Sequence, residues 1–151
     1  MDPYMLKALE QARRAADAGE VPVGAVLVRN GEIIASAHNL CESEKDATAH
    51  AEMLAIRSAS AELGTWRLCD CTLYVTMEPC PMCAGAILNA RIPKVVFGVR
   101  DSAKGAFGSV MDLRNYPIGS KPEVICDCGK EEGLELLKNF FGSKRVSRTG
   151  F

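Results

Sequence analysis

Three candidate metal ligands, far apart along the chain, constrain the fold more than any other feature of this sequence. His50 lies in the tripeptide His50-Ala51-Glu52, and Cys80 and Cys83 lie in a Pro-Cys-Pro-Met-Cys stretch. One histidine and two thiolates supply three positions of a tetrahedral zinc site and leave the fourth for water, which is the ligand count of catalytic zinc sites. The chain is therefore expected to fold so that the two stretches meet.

The role of Glu52 follows from its place beside this donor set. A three-ligand site does not need its carboxylate as a ligand. Zinc lowers the pKa of a bound water from 15.7 to about 7. A neighbouring carboxylate can then accept a proton from that water and donate it later to a leaving group. We interpret Glu52 as the catalytic acid–base residue.

Each motif alone has an ordinary alternative. An isolated histidine is usually packed or solvated, and two closely spaced cysteines are often small buried hydrophobes. The metal interpretation is favoured because the histidine, both cysteines, Glu52 and two prolines occur together in this pattern. His38 has no partner at ligand spacing, so we expect it to lie at the surface or behind the site rather than on the metal.

Length and composition indicate one globular domain covering residues 1–151. Of the 151 residues, 48% are hydrophobic and 25% are charged, which suits a single domain with its own core. The formal net charge of -1 gives no overall attraction for nucleic acid, so such binding needs a local patch. The segment 138–151 carries four basic and no acidic residues. Its charge alone slightly favours a solvated tail.

Cysteine usage and the N-terminal segment predict a cytoplasmic protein. The seven cysteines are an odd number, and two of them are assigned to zinc as thiolates, which fits a reducing compartment better than a disulfide framework. The N-terminal segment has no basic region followed by a long apolar run, and no stretch approaches membrane-spanning length. We expect no association with a membrane.

The hydrophobic pattern predicts alternating helices and strands. The helices are predicted over 2–19, 48–63, 81–90 and 130–141, and the strands over 21–28, 33–37, 71–76, 94–99 and 123–126. An Asn-Gly pair at 30–31 predicts a tight hairpin between the first two strands. The helix at 81–90 makes strands three and four parallel. The fold class is therefore α/β, a three-layer α/β/α domain with a central mixed five-stranded sheet.

This pattern puts the donor residues at two helix starts. His50 and Glu52 are expected in the first turn of the second helix, and Cys80 and Cys83 at the start of the third, where residues three apart share a face. The positive end of each helix dipole favours anions, so both cysteines are expected to have a lowered pKa. The two helix starts are expected to converge on one metal.

Both zinc motifs resemble the zinc-dependent cytidine/deoxycytidylate deaminase superfamily, and nearly the whole chain resembles its bacterial tRNA-specific adenosine deaminases. The matching stretches are 20–26, 46, 48–52, 73–80, 82–86, 95–98 and 100–101. The resemblance implies a cytidine deaminase-like fold and one Zn²⁺ per chain, held by His50, Cys80 and Cys83. It also implies hydrolytic conversion of the wobble adenosine of a tRNA anticodon to inosine, with Glu52 catalytic, by a homodimer.

The same resemblance implies a set of substrate-binding residues. They are Val23, Asn39, Ala51, Asp101, Phe141, Lys144 and Arg145. The C-terminal helix and basic tail, 130–151, are expected to contribute to RNA binding, because an aromatic ring beside basic residues suits single-stranded RNA. From the residues alone, Asn39 and Asp101 are equally well turn or cap residues, and the Phe140-Phe141 pair is better suited to the core.

The zinc motifs do not separate the members of this superfamily. A free-base or nucleoside deaminase, acting on guanine or cytosine, is the alternative enzyme. A zinc-binding module without catalysis is disfavoured because Glu52 is present. Gly142-Ser143 leaves the tail less basic than in some relatives.

Overall fold

One mixed sheet of five strands lies at the centre of the computed structural model, which describes residues 1–117, 119 and 121–147. The strands are β1 Gly24–Arg29, β2 Glu32–His38, β3 Cys71–Met77, β4 Lys94–Val99 and β5 Glu123–Ile125. Their spatial order is β2-β1-β3-β4-β5. Strand β1 is antiparallel to β2 and β3, whereas β4 is parallel to β3 and β5. The predicted mixed sheet is confirmed.

The turn between β1 and β2 has the conformation that its sequence predicts. Asn30 has a φ of 51° and Gly31 a φ of 78°. Positive φ at both central residues defines the turn that matches the twist of a two-stranded hairpin. Asparagine and glycine tolerate this left-handed conformation better than other residues.

Five α-helices are found in the described part of the chain. They are α1 Pro3–Asp17, α2 Cys41–Glu44, α3 Ala51–Leu63, α4 Pro81–Asn89 and α5 Lys130–Ser147. The short helix α2 occupies a region that was predicted as loop. Helix α5 extends past its predicted end at Phe141, because Gly142 keeps a helical backbone rather than the left-handed conformation that terminates helices.

The extension of α5 includes two predicted RNA contacts. Lys144 and Arg145 belong to this helix. Their side chains, like those of the other residues from 143 onward, lie outside the described part of the structure. Residues 148–151 of the predicted basic tail lie outside it altogether.

Alternate residues of the strands face two different helical layers, as expected for a strand period of two. One face of the sheet packs with α3 and α4 through a core that includes Ala25, Leu27, Leu73, Val75, Val95, Phe97, Ala55 and Ile87. The other face packs with α1 and α5 through a core that includes Val26, Val28, Tyr74, Val96, Met5, Leu9 and Leu136. The domain therefore has the predicted α/β/α layers.

None of the helices in the described residues combines the length and the apolar character needed to cross a lipid bilayer.

Candidate metal centre and active site

The three predicted ligands lie at the starts of two neighbouring helices. His50 is the N-cap of α3, immediately before the first turn rather than within it as predicted, and Cys80 is the N-cap of α4. The His50 side chain makes no capping hydrogen bond. Instead, Asn39 Oδ1 accepts from the N–H of Ala51 at 2.8 Å. Because Asn39 takes over this capping contact, the imidazole is available to face the cysteines.

The donor atoms have the spacing of a tetrahedral zinc site. His50 Nδ1 lies 3.6 Å from Cys80 Sγ and 3.4 Å from Cys83 Sγ. The three donor atoms all lie within 4.8 Å of one another. Zinc bonds of about 2.3 Å to sulfur and 2.0–2.1 Å to nitrogen place the two ligand atoms about 3.6 Å apart in tetrahedral geometry. The observed distances fit this ion, and an imidazole with two thiolates is a donor set that zinc accepts.

The two thiols behave as a coupled pair. A hydrogen bond from the Cys83 thiol lowers the pKa of Cys80 to about 4. The same contact, together with burial, raises the pKa of Cys83. The predicted lowering of the pKa is found for Cys80. The direction for Cys83 belongs to the metal-free pair, and a bound zinc ion would deprotonate both thiols.

Glu52 is almost completely buried beside these ligands, with 3% of its surface exposed. Burial raises the pKa of its carboxyl to about 7, although the nearby His50 imidazole acts in the opposite direction. A pKa near the working pH suits a group that both accepts and donates a proton. A divalent cation on the neighbouring ligands would favour the ionised form of the carboxylate.

A cleft of about 490 Å³ opens at the metal ligands, a size typical of small-molecule sites. His50, Glu52 and Cys80 lie in its wall. The structure also brings four of the predicted substrate-binding residues to this wall, namely Val23, Asn39, Asp101 and Phe141. Ala51, the fifth residue of that set in the described side chains, is fully buried and meets Asn39 through its backbone N–H.

Asn39 and Asp101 each have a structural contact as well as a place in the wall. Asn39 joins the start of α3 to the end of β2, and its own N–H donates to the Val23 carbonyl at 3.2 Å. Asp101 Oδ1 accepts from the backbone N–H groups of Ala103 and Lys104, at 2.9 and 3.1 Å. The cap or turn role that the sequence left open is therefore present in both residues, alongside their position at the cleft.

Two buried glutamates in the cleft wall have contacts that the sequence analysis missed. Glu20, 1% exposed, accepts from the N–H groups of Glu42 and Ser43 at 3.0 and 2.7 Å and from the Ser43 hydroxyl. Glu78, 3% exposed, accepts from residues 101–109, which we call the cleft loop. The sequence feature that could have indicated their burial is a single acidic residue between apolar neighbours, in Gly-Glu-Val for Glu20 and in Met-Glu-Pro for Glu78.

His38 pairs with Gln11 of α1 rather than with the metal ligands. Its Nδ1 is 3.0 Å from Gln11 Oε1. Burial lowers the pKa of His38, with a further contribution from the positive charge of Arg14. A neutral imidazole paired with an amide agrees with the prediction that this histidine has no ligand role.

The site residues and the cleft together are suited to metal-assisted hydrolysis of a small cyclic molecule. They combine a three-ligand metal centre, a buried acid–base carboxyl and a cleft lined by polar as well as apolar side chains. Hydrolysis needs a water, a proton carrier and a leaving group, and Glu52 is positioned to carry the proton.

Comparisons with known proteins agree with this chemistry. The family described as the cytidine and deoxycytidylate deaminase zinc-binding region matches residues 2–99. The tRNA-specific adenosine deaminase of Bacillus subtilis (strain 168) is 51% identical over 146 residues, covering 96% of this chain and 91% of that protein.

Two solved structures share the fold. One, from studies of A-to-I editing by tRNA:A34 deaminases at the wobble position of transfer RNA, superposes with a TM-score of 0.87 at 42% identity, covering 89% of this chain and 98% of that chain. The other, guanine deaminase from Bacillus subtilis, has a TM-score of 0.64 at 29% identity, covering 100% of this chain and 99% of that chain. The matched motifs, the donor set and the fold agree, and the chain belongs to the cytidine and deoxycytidylate deaminase family of zinc-binding enzymes.

Proposed function

We propose that this protein is a zinc-dependent hydrolase that converts adenosine to inosine at the wobble position of a tRNA anticodon. The observation that carries this proposal is the donor set of His50, Cys80 and Cys83 beside buried Glu52, in a chain 51% identical over 96% of its length to a tRNA-specific adenosine deaminase. The match covers 146 residues and so extends well beyond the zinc motifs.

The residues of the chain divide the reaction between them. His50, Cys80 and Cys83 would hold the zinc ion. When bound, zinc lowers the pKa of a water molecule and so supplies a nucleophile at neutral pH. Glu52 accepts the proton of the attacking water and delivers protons to the purine and to its amino group. Water adds at the ring carbon that carries the amino group, ammonia leaves, and inosine is the product.

The cleft wall provides contacts for the target nucleoside. Val23 offers an apolar surface to the purine, and Asn39 offers its side-chain amide. Asp101 uses one carboxylate oxygen within the cleft loop, and the other is assigned to the ribose. These assignments are supported by the position of all three residues around one cleft that also contains Glu52.

The C-terminal helix is assigned to the anticodon loop. Leu137 and Phe141, one helical turn apart on α5, both lie at the cleft. Phe141 is proposed to stack on an unpaired base, and Lys144 and Arg145 to neutralise phosphates. On this proposal the whole chain is one deaminase domain whose segment 130–151 contributes to RNA binding. Local charge would suffice despite the net charge of -1.

We also propose that the protein acts as a homodimer in the cytoplasm. Met53, Leu54 and Met82 are half-buried apolar residues in the first turns of α3 and α4. Apolar side chains left partly exposed beside a site are suited to burial against a second copy. Sedimentation equilibrium should give twice the chain mass. A monomeric mass at micromolar concentration would refute the dimer.

One comparison of substrates tests the proposed activity. The protein is incubated with an anticodon stem-loop containing a wobble adenosine, and separately with free adenosine, cytidine, cytosine and guanine, and inosine and ammonia are measured. Inosine is expected in the stem-loop, and the Glu52→Gln variant is the matched control for contaminating deaminases. Efficient deamination of guanine or cytosine, with the stem-loop unchanged, would instead support the free-base alternative that the guanine deaminase fold suggests.

A further inference from the structure

Glu78 connects the metal-binding turn to the cleft loop through four hydrogen bonds. Its Oε1 accepts from the N–H of Asp101 at 3.1 Å and from the Ser109 hydroxyl. Its Oε2 accepts from the N–H groups of Phe107 and Ser109, both at 3.1 Å. All four donors belong to the cleft loop, so one buried carboxylate satisfies donors along the whole length of this segment.

The loop wraps closely around this carboxylate. A Cβ atom added to Gly105 would lie 2.4 Å from the carboxyl carbon of Glu78 and 2.4 and 2.5 Å from its two oxygens. Side-chain Cβ atoms do not approach other atoms this closely. With a side chain at 105, the loop or the Glu78 carboxylate would have to shift from its present position.

Backbone hydrogen bonds of Glu78 and Pro79 join the segment that carries Cys80 to the end of β4 and to the cleft loop. The N–H of Glu78 donates to the Val99 carbonyl at 2.7 Å, and the N–H of Ala106 donates to the Pro79 carbonyl at 2.9 Å. Cys80 follows immediately after Pro79 and holds the metal. The cleft loop brings Asp101 and Lys104 to the cleft.

We propose that Glu78 is a positioning residue that sets the shape of the cleft loop and thereby the binding of the target nucleotide. This inference rests on the proposed function. Glu78 makes its four contacts with the loop and leaves proton transfer to Glu52. Charge-assisted hydrogen bonds from several donors hold a loop more firmly than neutral ones. Losing them should therefore loosen the loop and weaken substrate binding more than it slows the chemical step.

The Glu78→Gln variant is the first test. The amide keeps the shape, but its NH₂ group cannot accept a hydrogen bond, so at least one backbone N–H of the cleft loop loses its acceptor whichever way the amide is oriented. KM for the stem-loop is expected to rise about tenfold or more, as for loss of hydrogen bonds to a charged group. The value of kcat should stay within about threefold, and the zinc content should remain one per chain.

Two further variants test the loop without changing Glu78. Ser109→Ala removes one donor and should raise KM less than Glu78→Gln does. Gly105→Ala adds a Cβ that overlaps the Glu78 carboxylate, so it should separate the loop from this carboxylate and raise KM without altering any charge. Ser102→Ala, at an exposed position of the same loop, is the matched control and should leave KM unchanged.

Amide hydrogen exchange separates this inference from the proposed function. Exchange of the Phe107 and Ser109 amides should accelerate at least tenfold in Glu78→Gln, whatever the substrate is. If the wild-type protein leaves the stem-loop unchanged, the proposed function fails, and the exchange result still tests the anchoring of the loop. Unaltered exchange in Glu78→Gln would overturn the inference. So would a wild-type KM, or a loss of kcat and zinc with KM unchanged.

Discussion

The packing of helix α1 on the sheet gives the sharpest stability prediction, for the Gly24→Ala variant. A Cβ atom at Gly24 would lie 2.0 Å from the Ala8 carbonyl oxygen, 2.6 Å from the Ala12 nitrogen and 2.7 Å from Gln11 Cβ. The first two are backbone atoms of α1 and have no rotamer with which to move away. The helix as a whole must therefore shift across the sheet, and Val23, the neighbour of Gly24, must shift within the cleft wall.

The size of this effect follows from the contacts. Overpacking lowers the free energy of unfolding by typically 1–3 kcal/mol. Because the added Cβ would overlap two backbone atoms, we expect a loss of about 3 kcal/mol. For a chain of this length, each kcal/mol lowers Tm by about 2–4 °C, so the expected fall is about 6–12 °C in a thermal melt followed by circular dichroism. Gly85→Ala is the control, since a Cβ there meets nothing within 4 Å and alanine favours helix.

A Tm of Gly24→Ala within about 2 °C of the wild-type value would refute this reasoning, because the margin is well below the fall expected from overpacking. It would mean that α1 does not approach β1 as closely as the structure has it.

Three further outcomes are expected at the site. Glu52→Gln should retain zinc and fold but lower the rate of inosine formation by about 10²–10⁴; near-normal turnover would exclude Glu52 from proton transfer. Cys83→Ala should lose zinc, measured by metal analysis, because two ligands remain; full occupancy would contradict the ligand assignment. Burial acts to raise the pKa of Glu20, but hydrogen bonds from α2 lower it overall. Its contribution to stability is therefore present above its unfolded pKa of about 4.3 and lost as pH falls through the lower folded pKa. In the Glu20→Gln variant, the free energy of unfolding measured in urea should depend less on pH below about 4.3. The same pH dependence as in the wild-type protein would contradict this.

The sequence was most informative where structure is determined by neighbouring residues. The strand at 94–99 was predicted with the bounds that the structure shows, because an unbroken apolar run fits a strand buried on both faces. The Asn30-Gly31 turn was likewise predicted from its conformational preference. The metal donors were found because their motif spacing is short and distinctive.

Long-range contacts explain what the sequence did not predict. Helix α2 has only four residues, too few to show a hydrophobic period. Its first N–H groups are satisfied by Glu20, which is 22 positions from Glu42 along the chain. The alternation of strand and helix carries no signal for such a contact. The end of α5 was missed for a different reason, since Gly142 was compatible with both continuing and ending the helix.

The two buried glutamates suggest how chemistry and substrate choice are separated in this domain. His50, Glu52, Cys80 and Cys83 lie at helix starts joined to the sheet core. The cleft walls formed by α2 and by the cleft loop are instead held by Glu20 and by Glu78. Each wall depends on hydrogen bonds that backbone N–H groups donate to one carboxylate. Removing the charge of that carboxylate weakens these hydrogen bonds. Variants at the walls should therefore change which nucleotide is bound, while variants at the helix starts should change whether it reacts.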